Sequence, residues 1–90
     1  MNIRYNCGDL LSPALEALVE KKVDRLVKKF KIEDAQVDVS MAKEGKEGYA
    51  LKIQVENGGH NVLAKAVSED MYKSIDECVA KLDAQLAKHK

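Results

Sequence analysis

The sequence contains few aromatic residues, few cysteines and no long apolar run. It has no tryptophan, one phenylalanine and three tyrosines, so side chains that stack on splayed bases are scarce and single-stranded nucleic acid is a disfavoured ligand. Two cysteines are too few for a disulfide-stapled scaffold and indicate a reducing cytoplasm. No apolar run approaches the roughly 20 residues that cross a bilayer, and residues 1–5 lack the layout of a signal peptide. We therefore expect a cytoplasmic protein without a membrane segment.

Motifs for catalysis or metal binding are also missing. The two histidines, His60 and His89, lie far apart and have no nucleophile motif beside them. No CxxC or HxxxH spacing offers clustered metal ligands, and Cys7 and Cys78 fall on apolar stripes that are typical of core residues. Gly58-Gly59 lacks the further glycines of a phosphate loop and is explained by turn geometry. The sequence predicts no enzyme, no cofactor, no metal and no small-molecule substrate.

The 90 residues are too few for two independent cores, so residues 1–90 are expected to form a single domain. Apolar residues alternate in four segments and recur every three or four residues in two others. The polar, glycine-bearing segment 43–48 is expected to be a flexible hairpin loop, and Ser12-Pro13 is a helix start. The predicted elements are a strand at 2–7, a helix at about 13–30, strands at 36–41, 49–56 and 62–66, and a helix that starts near residue 70 and runs nearly to residue 90.

This order predicts a two-layer α+β fold with the sequence β-α-β-β-β-α. A helical crossover between the first two strands should be right-handed and leave them parallel, whereas two hairpins make the remaining pairs antiparallel. The second and third strands each have one apolar and one polar face, so both helices should cover the same face of a four-stranded mixed sheet. The other face of the sheet is expected to be exposed to water.

Charge is balanced overall and uneven locally. The chain has 15 basic and 15 acidic residues, but residues 21–31 carry a net charge of +5, residues 32–80 a net −5 and residues 81–90 a net +2. A neutral protein can therefore present a strongly positive patch to a polyanion. Cations at the end of each helix also complement the helix dipole, and charge runs alone leave both interpretations open.

The basic residues of each helix fall on one flank of the apolar stripe. At about 100° per residue, the first helix places Lys22, Arg25 and Lys29 on a single flank, and the last helix does the same with Lys81, Gln85 and Lys88. Long Lys and Arg stems can cover the edge of a core while their heads reach phosphate. Two such flanks on adjacent helices suggest a surface for the phosphate backbone, and the alternative is that they only solubilise the edge of the helix layer.

Several motifs in the last third of the chain form a distinctive pattern. They are Asn57-Gly58-Gly59 and the alternating strand after it, and then Asp70-Met71-Tyr72, Ile75-Asp76, Lys81-Leu82, Gln85-Leu86 and Lys88-His89-Lys90. With these motifs the chain resembles the ribosome hibernation promoting factor family, which also includes the ribosome-associated inhibitor. The resemblance covers essentially the whole chain, and agreement is looser in the first half, through Ala14-Leu15, Lys22, Arg25-Leu26 and Phe30.

The resemblance implies a fold akin to the double-stranded RNA-binding domain and a function on the ribosome. Family members bind the small (30S) subunit in the channel for messenger RNA and for the A- and P-site transfer RNAs, and they silence ribosomes in stationary phase or stress by occupancy. Asp83-Ala84 departs from the family pattern, where a further basic residue is expected, and this weakens the patch. By analogy, the rRNA-binding residues are Lys22, Arg25, Lys28 and Lys29 in the first helix and Lys81, Lys88 and Lys90 in the last.

Because no extended tail is expected after Lys90, the resemblance is to the short form of the family. Short forms act with a separate ribosome modulation factor to promote inactive ribosome dimers, and the partners expected here are the small subunit, its 16S rRNA and, indirectly, that factor. A protein–protein adaptor that uses the exposed sheet face or the loop near Gly45 is the alternative function.

Overall fold

Two helices and four strands follow one another in the predicted order. The computed structural model describes residues 2–46 and 48–88. A short 3₁₀ turn, Gly8–Leu10, comes between the first strand and the first helix. The elements are β1 (Asn2–Asn6), α1 (Pro13–Lys29), β2 (Gln36–Glu44), β3 (Gly48–Asn57), β4 (His60–Ser68) and α2 (Met71–Lys88).

The four strands form one mixed sheet in the order β1-β2-β3-β4. β1 and β2 pair parallel, with Ile3 opposite Val37, and the two later pairs are antiparallel. β1 and β4 are consequently the two edges of the sheet. The fold class, with both helices on one face of a mixed sheet, is as predicted from the alternation of apolar residues.

Local side-chain bonds fix where each helix begins. The Ser12 hydroxyl accepts a hydrogen bond from the backbone N–H of Leu15 at 3.2 Å, and Pro13 follows at the first helical position, where its missing N–H is not needed. α2 starts after Asp70, whose carboxylate accepts from the N–H of Tyr72 at 2.9 Å. Both caps satisfy donors that the first helical turn leaves without partners.

The core lies between the helices and one face of the sheet. Leu15, Val19, Val23 and Leu26 are buried along α1. On α2 the apolar spacing predicts a buried stripe of Met71, Ile75, Val79, Leu82 and Leu86, but Val79 and Leu86 are only partly buried. The helix turns the adjacent positions toward β3 and β4 instead, and its buried residues are Met71, Ser74, Ile75, Cys78 and Leu82.

The segment between β2 and β3 is shorter than its composition predicts. β2 continues through Glu44 and pairs it with Gly48, the first residue of β3. A Cβ at position 48 would collide with the backbone carbonyl oxygen of Glu44, so glycine permits this close pairing. The expected hairpin between the two strands is confirmed, but a loop over all of residues 43–48 was too long, because Lys43 and Glu44 belong to β2 and Gly48 belongs to β3.

Candidate nucleic-acid interface

Two ion pairs bridge α1 and α2 and fix how the helices face each other. The Lys22 ammonium lies 2.8 Å from a carboxylate oxygen of Asp76, and the Lys29 ammonium lies 2.9 Å from Asp83. The members of each pair are 54 positions apart, and the two pairs are separated by seven residues on both helices. Seven residues are about two helical turns, so the helices run in the same direction with these flanks opposed.

The cations of α1 line the groove between the helices. Lys22, Arg25 and Lys29 surround a hollow of about 210 Å³ together with Leu26, Val79 and Asp83. Their position on a single flank agrees with the spacing in the sequence. Long basic side chains whose stems rest on an apolar floor keep their charged heads near the surface, where a phosphate group can reach them.

Lys28 lies on a different side of α1. It is highly exposed and pairs with Asp24 one turn earlier, at 3.0 Å. Residues 24 and 28 are neighbours on a helix surface because they are four positions apart. Lys28 can add to the positive field around α1, but it does not line the groove.

The basic residues of α2 lie on the flank that faces away from α1. The Lys81 ammonium donates to the backbone carbonyl of Lys65 at 2.8 Å, and the Gln85 amide donates to the carbonyl of Leu63 at 2.7 Å, so both reach the edge strand β4. Lys88 is exposed in the last turn. Lys90 lies outside the described residues.

The two basic flanks therefore do not meet across the groove. The flank of α2 that faces α1 carries Asp76 and Asp83, while Lys81 points toward β4. Helical spacing specifies which residues of one helix share a flank, but it does not specify which neighbour that flank meets. Packing of α2 over β3 and β4 decides the second question.

The pairs in the groove are exposed enough to exchange partners. The Lys22 side chain is 30% exposed and that of Lys29 is 57% exposed, and ion pairs at the surface contribute only about 0.2–1 kcal/mol each. Arg25 is exposed and has no carboxylate within ion-pair distance among residues 2–46 and 48–88. A guanidinium can hold a phosphate through two parallel hydrogen bonds. Arg25 is thus the groove cation best placed to bind a phosphate without displacing a partner.

Both cysteine thiols, Cys7 and Cys78, are buried. Burial raises the pKa of the Cys78 thiol to about 11, and burial also raises the pKa of Cys7. A protonated thiol is neither a nucleophile nor a metal ligand. Within the described part of the chain, no three His, Cys, Asp or Glu side chains come together as a metal site, and no helix there is long and apolar enough to span a membrane.

Comparison with known proteins identifies the family. The family model described as sigma 54 modulation protein / S30EA ribosomal protein matches residues 10–90. The chain belongs to this family. It is 39% identical over 85 residues to the ribosome hibernation promoting factor of Azotobacter vinelandii, and the match covers 89% of this chain and 73% of that protein.

Two solved structures share the fold over nearly the whole chain. The N-terminal domain of Thermus thermophilus protein Y superposes with a TM-score of 0.82 at 30% identity, and the match covers 100% of both chains. A ribosomal subunit interface protein from Coxiella burnetii gives a TM-score of 0.79 at 31% identity and covers 99% of this chain and 97% of that one. The resemblance seen in the sequence is confirmed, and the family is one of ribosome hibernation and subunit interface factors.

Sequence reasoning missed the acidic side of the groove. Asp83 was noted as a departure from the family pattern, but its pairing with Lys29 and the role of Asp76 were not anticipated. A signal was present, because Lys22 and Lys29 are spaced by seven residues and so are Asp76 and Asp83. Matching spacings of opposite charge on two helices are typical of flanks that run side by side.

Proposed function

We propose that this protein is a cytoplasmic hibernation factor that binds the small ribosomal subunit through 16S rRNA. It covers the messenger RNA channel and the A- and P-site positions for transfer RNA, and it inhibits translation in stationary phase or stress. Membership of the family supports this function. Inhibition needs no chemistry, because a bound protein that occupies these sites excludes the ligands that translation requires.

The observation that carries the proposal is the cationic flank of α1. Lys22, Arg25 and Lys29 converge on one open groove in a chain whose formal net charge is zero. Local fields at a surface attract a polyanion whatever the total charge. Lysine and arginine contacts to phosphate supply the sequence-independent part of nucleic-acid binding, so this groove is the principal rRNA contact.

The remaining cations form the outer part of the interface. Lys28 adds charge on the exposed side of α1, and Lys81, Lys88 and Lys90 extend the contact from α2 and the residues after it. Aromatic side chains are scarce, so the protein recognises the shape and backbone of folded rRNA rather than unstacked bases.

Charge reversal on α1 tests the proposal directly. The variant Lys22→Glu, Arg25→Glu, Lys29→Glu should lose co-sedimentation with purified small subunits at moderate salt, because three phosphate contacts become repulsive. Helix content by circular dichroism should stay near that of the parent, since all three side chains lie at the surface. Retention of the triple variant in the ribosome pellet would contradict the proposal.

A matched control removes the same charge from another region. Lys43 and Lys46 lie in and beside the β2–β3 turn, and Lys52 lies in the middle of β3. None of the three has an ion-pair partner among the described residues. Changing these three to glutamate alters the total charge equally and should leave co-sedimentation largely intact. An equal loss in both variants would mean that net charge, and not the groove, governs binding.

We further propose that the protein promotes inactive ribosome dimers together with ribosome modulation factor. Sucrose-gradient profiles of ribosomes with and without the protein, each with and without the modulation factor, separate silencing from dimer formation. A dimer peak that needs both proteins supports the proposal, and single silenced ribosomes under all conditions restrict the function to occupancy.

An adaptor function remains the competing hypothesis, because the water-exposed sheet face carries two exposed apolar side chains. Leu63 is 50% exposed and Val67 is 43% exposed, both on β4. An adaptor would form complexes without ribosomes that survive nuclease and high salt. A hibernation factor held through phosphate contacts would release its partner under both treatments.

A further inference from the structure

The two edges of the sheet differ in how they are protected. β1 has five residues and includes Arg4, whereas β4 has nine residues, no glycine or proline and a single formally charged side chain, Lys65. An edge strand directs the N–H and C=O groups of every second residue away from its neighbour, and a long, weakly charged edge is a template for another strand. The length and low charge of β4 make it such an edge.

Side chains from α2 occupy part of this edge. Lys81 donates to the carbonyl oxygen of Lys65 at 2.8 Å and Gln85 donates to that of Leu63 at 2.7 Å. These carbonyls are two residues apart on the strand, about 6.8 Å, and the donors are four residues apart on the helix, about 6 Å along its axis. Because these two distances are similar, side chains on two consecutive turns of α2 can donate hydrogen bonds to two consecutive outward-facing carbonyls of β4.

We propose that Lys81 and Gln85 cap the outer edge of β4 and prevent it from pairing antiparallel with β4 of a second copy of this chain. Both capped carbonyls are acceptors that a pairing strand would use. While they accept from Lys81 and Gln85, and while those side chains cover the edge, an incoming strand cannot form its ladder.

A second copy of this chain fits the uncapped edge. Antiparallel pairing about Ala64 sets Leu63 of one copy opposite Lys65 of the other, and Asn61 opposite Val67. No pair of like charges is directly opposed in this register, and the exposed side chains of Leu63 and Val67 gain neighbours. The two sheets would join into one, with the same side chains continuing on each face.

This inference concerns the free protein and does not depend on rRNA binding. The variant Lys81→Ala, Gln85→Ala removes both donors, adds no apolar bulk and places a good helix former at two positions that are not buried. Its control is Lys73→Ala, Lys88→Ala, which makes two changes on the same helix at positions that donate to no strand carbonyl among the described residues.

Sedimentation equilibrium and amide hydrogen exchange test whether Lys81 and Gln85 prevent β4 from pairing with a second copy. We expect the parent and the control to stay at the monomer mass of 10.0 kDa, and the Lys81→Ala, Gln85→Ala variant to approach twice that mass as its concentration rises. In the variant, exchange of the Leu63 and Lys65 amides should slow at least about tenfold on association.

Four results would overturn the proposal. The proposal is wrong if the Lys81→Ala, Gln85→Ala variant stays monomeric up to its solubility limit, or if the control variant associates equally. It is also wrong if association leaves the exchange of the Leu63 and Lys65 amides unchanged, because the contact then lies elsewhere. Pairing of the parent protein through β4, with both caps present, would contradict it as well.

Discussion

The two flanks of α2 have opposite charge and different neighbours. One flank faces α1 and presents Asp76 and Asp83 to the cations of the groove, and the other presents Lys81 and Gln85 to the edge of β4. The same helix therefore restrains basic side chains on α1 and covers backbone carbonyls on β4. A basic residue on this protein is available to a polyanion only to the extent that its neighbours leave it without a partner.

Arg25 gives the largest expected effect of any single residue. Arg25→Ala should weaken small-subunit binding by about tenfold or more, since a charge-assisted hydrogen bond contributes about 1.5–3 kcal/mol and each 1.4 kcal/mol is a factor of ten. Lys28→Ala removes an equal charge one turn away, where Asp24 already pairs with it, and should have a smaller effect. Filter binding or fluorescence titration with small subunits measures both. Equal losses of affinity in the two variants would mean that binding does not depend on whether a cation lines the groove.

Removing the acids of the groove should strengthen binding. The variant Asp76→Asn, Asp83→Asn releases Lys22 and Lys29 from their carboxylates, and we expect about three- to tenfold tighter binding to small subunits, equivalent to about 0.7–1.4 kcal/mol. Its control is Glu69→Gln, Glu77→Gln, which removes one acid just before α2 and one acid within it, neither of which lines the groove. Weaker binding of the Asp variant would mean that the ion pairs hold the groove in its binding geometry.

The same Asp variant should cost little stability. Both pairs are partly exposed. The two substitutions should therefore lower the free energy of unfolding, measured with urea, by no more than about 2 kcal/mol, the sum of two surface ion pairs. The difference should shrink at high salt because exposed charges are screened. A larger, salt-independent loss would indicate that the pairs are structural elements of the helix packing rather than exchangeable partners.

The architecture could be predicted from the sequence because a local residue pattern identifies each element. Alternation at Val37, Val39 and Met41 and the caps at Ser12 and Asp70 each identify an element without knowledge of its neighbours. The same holds for the flank shared by Lys22, Arg25 and Lys29, because helical spacing alone determines it.

Features that depend on contacts between elements were not predicted from the sequence. The pairing of Lys29 with Asp83 joins residues 54 positions apart, and the bond from Lys81 to Lys65 depends on where α2 lies over the sheet. The tight β2–β3 connection depends on a backbone approach at Gly48 that composition does not reveal. Each of these is decided by packing of one element on another.

The salt dependence of small-subunit binding tests the role of the α1 flank most directly. The logarithm of the binding constant should fall linearly with the logarithm of salt concentration, because phosphate contacts release counterions. Replacing Lys22, Arg25 and Lys29 with glutamine should reduce the magnitude of that slope by about two to three, since each of the three lost contacts contributes about 0.7–0.9. A slope that is unchanged by the triple replacement, or a parent protein whose binding does not respond to salt, would contradict a phosphate contact at this groove.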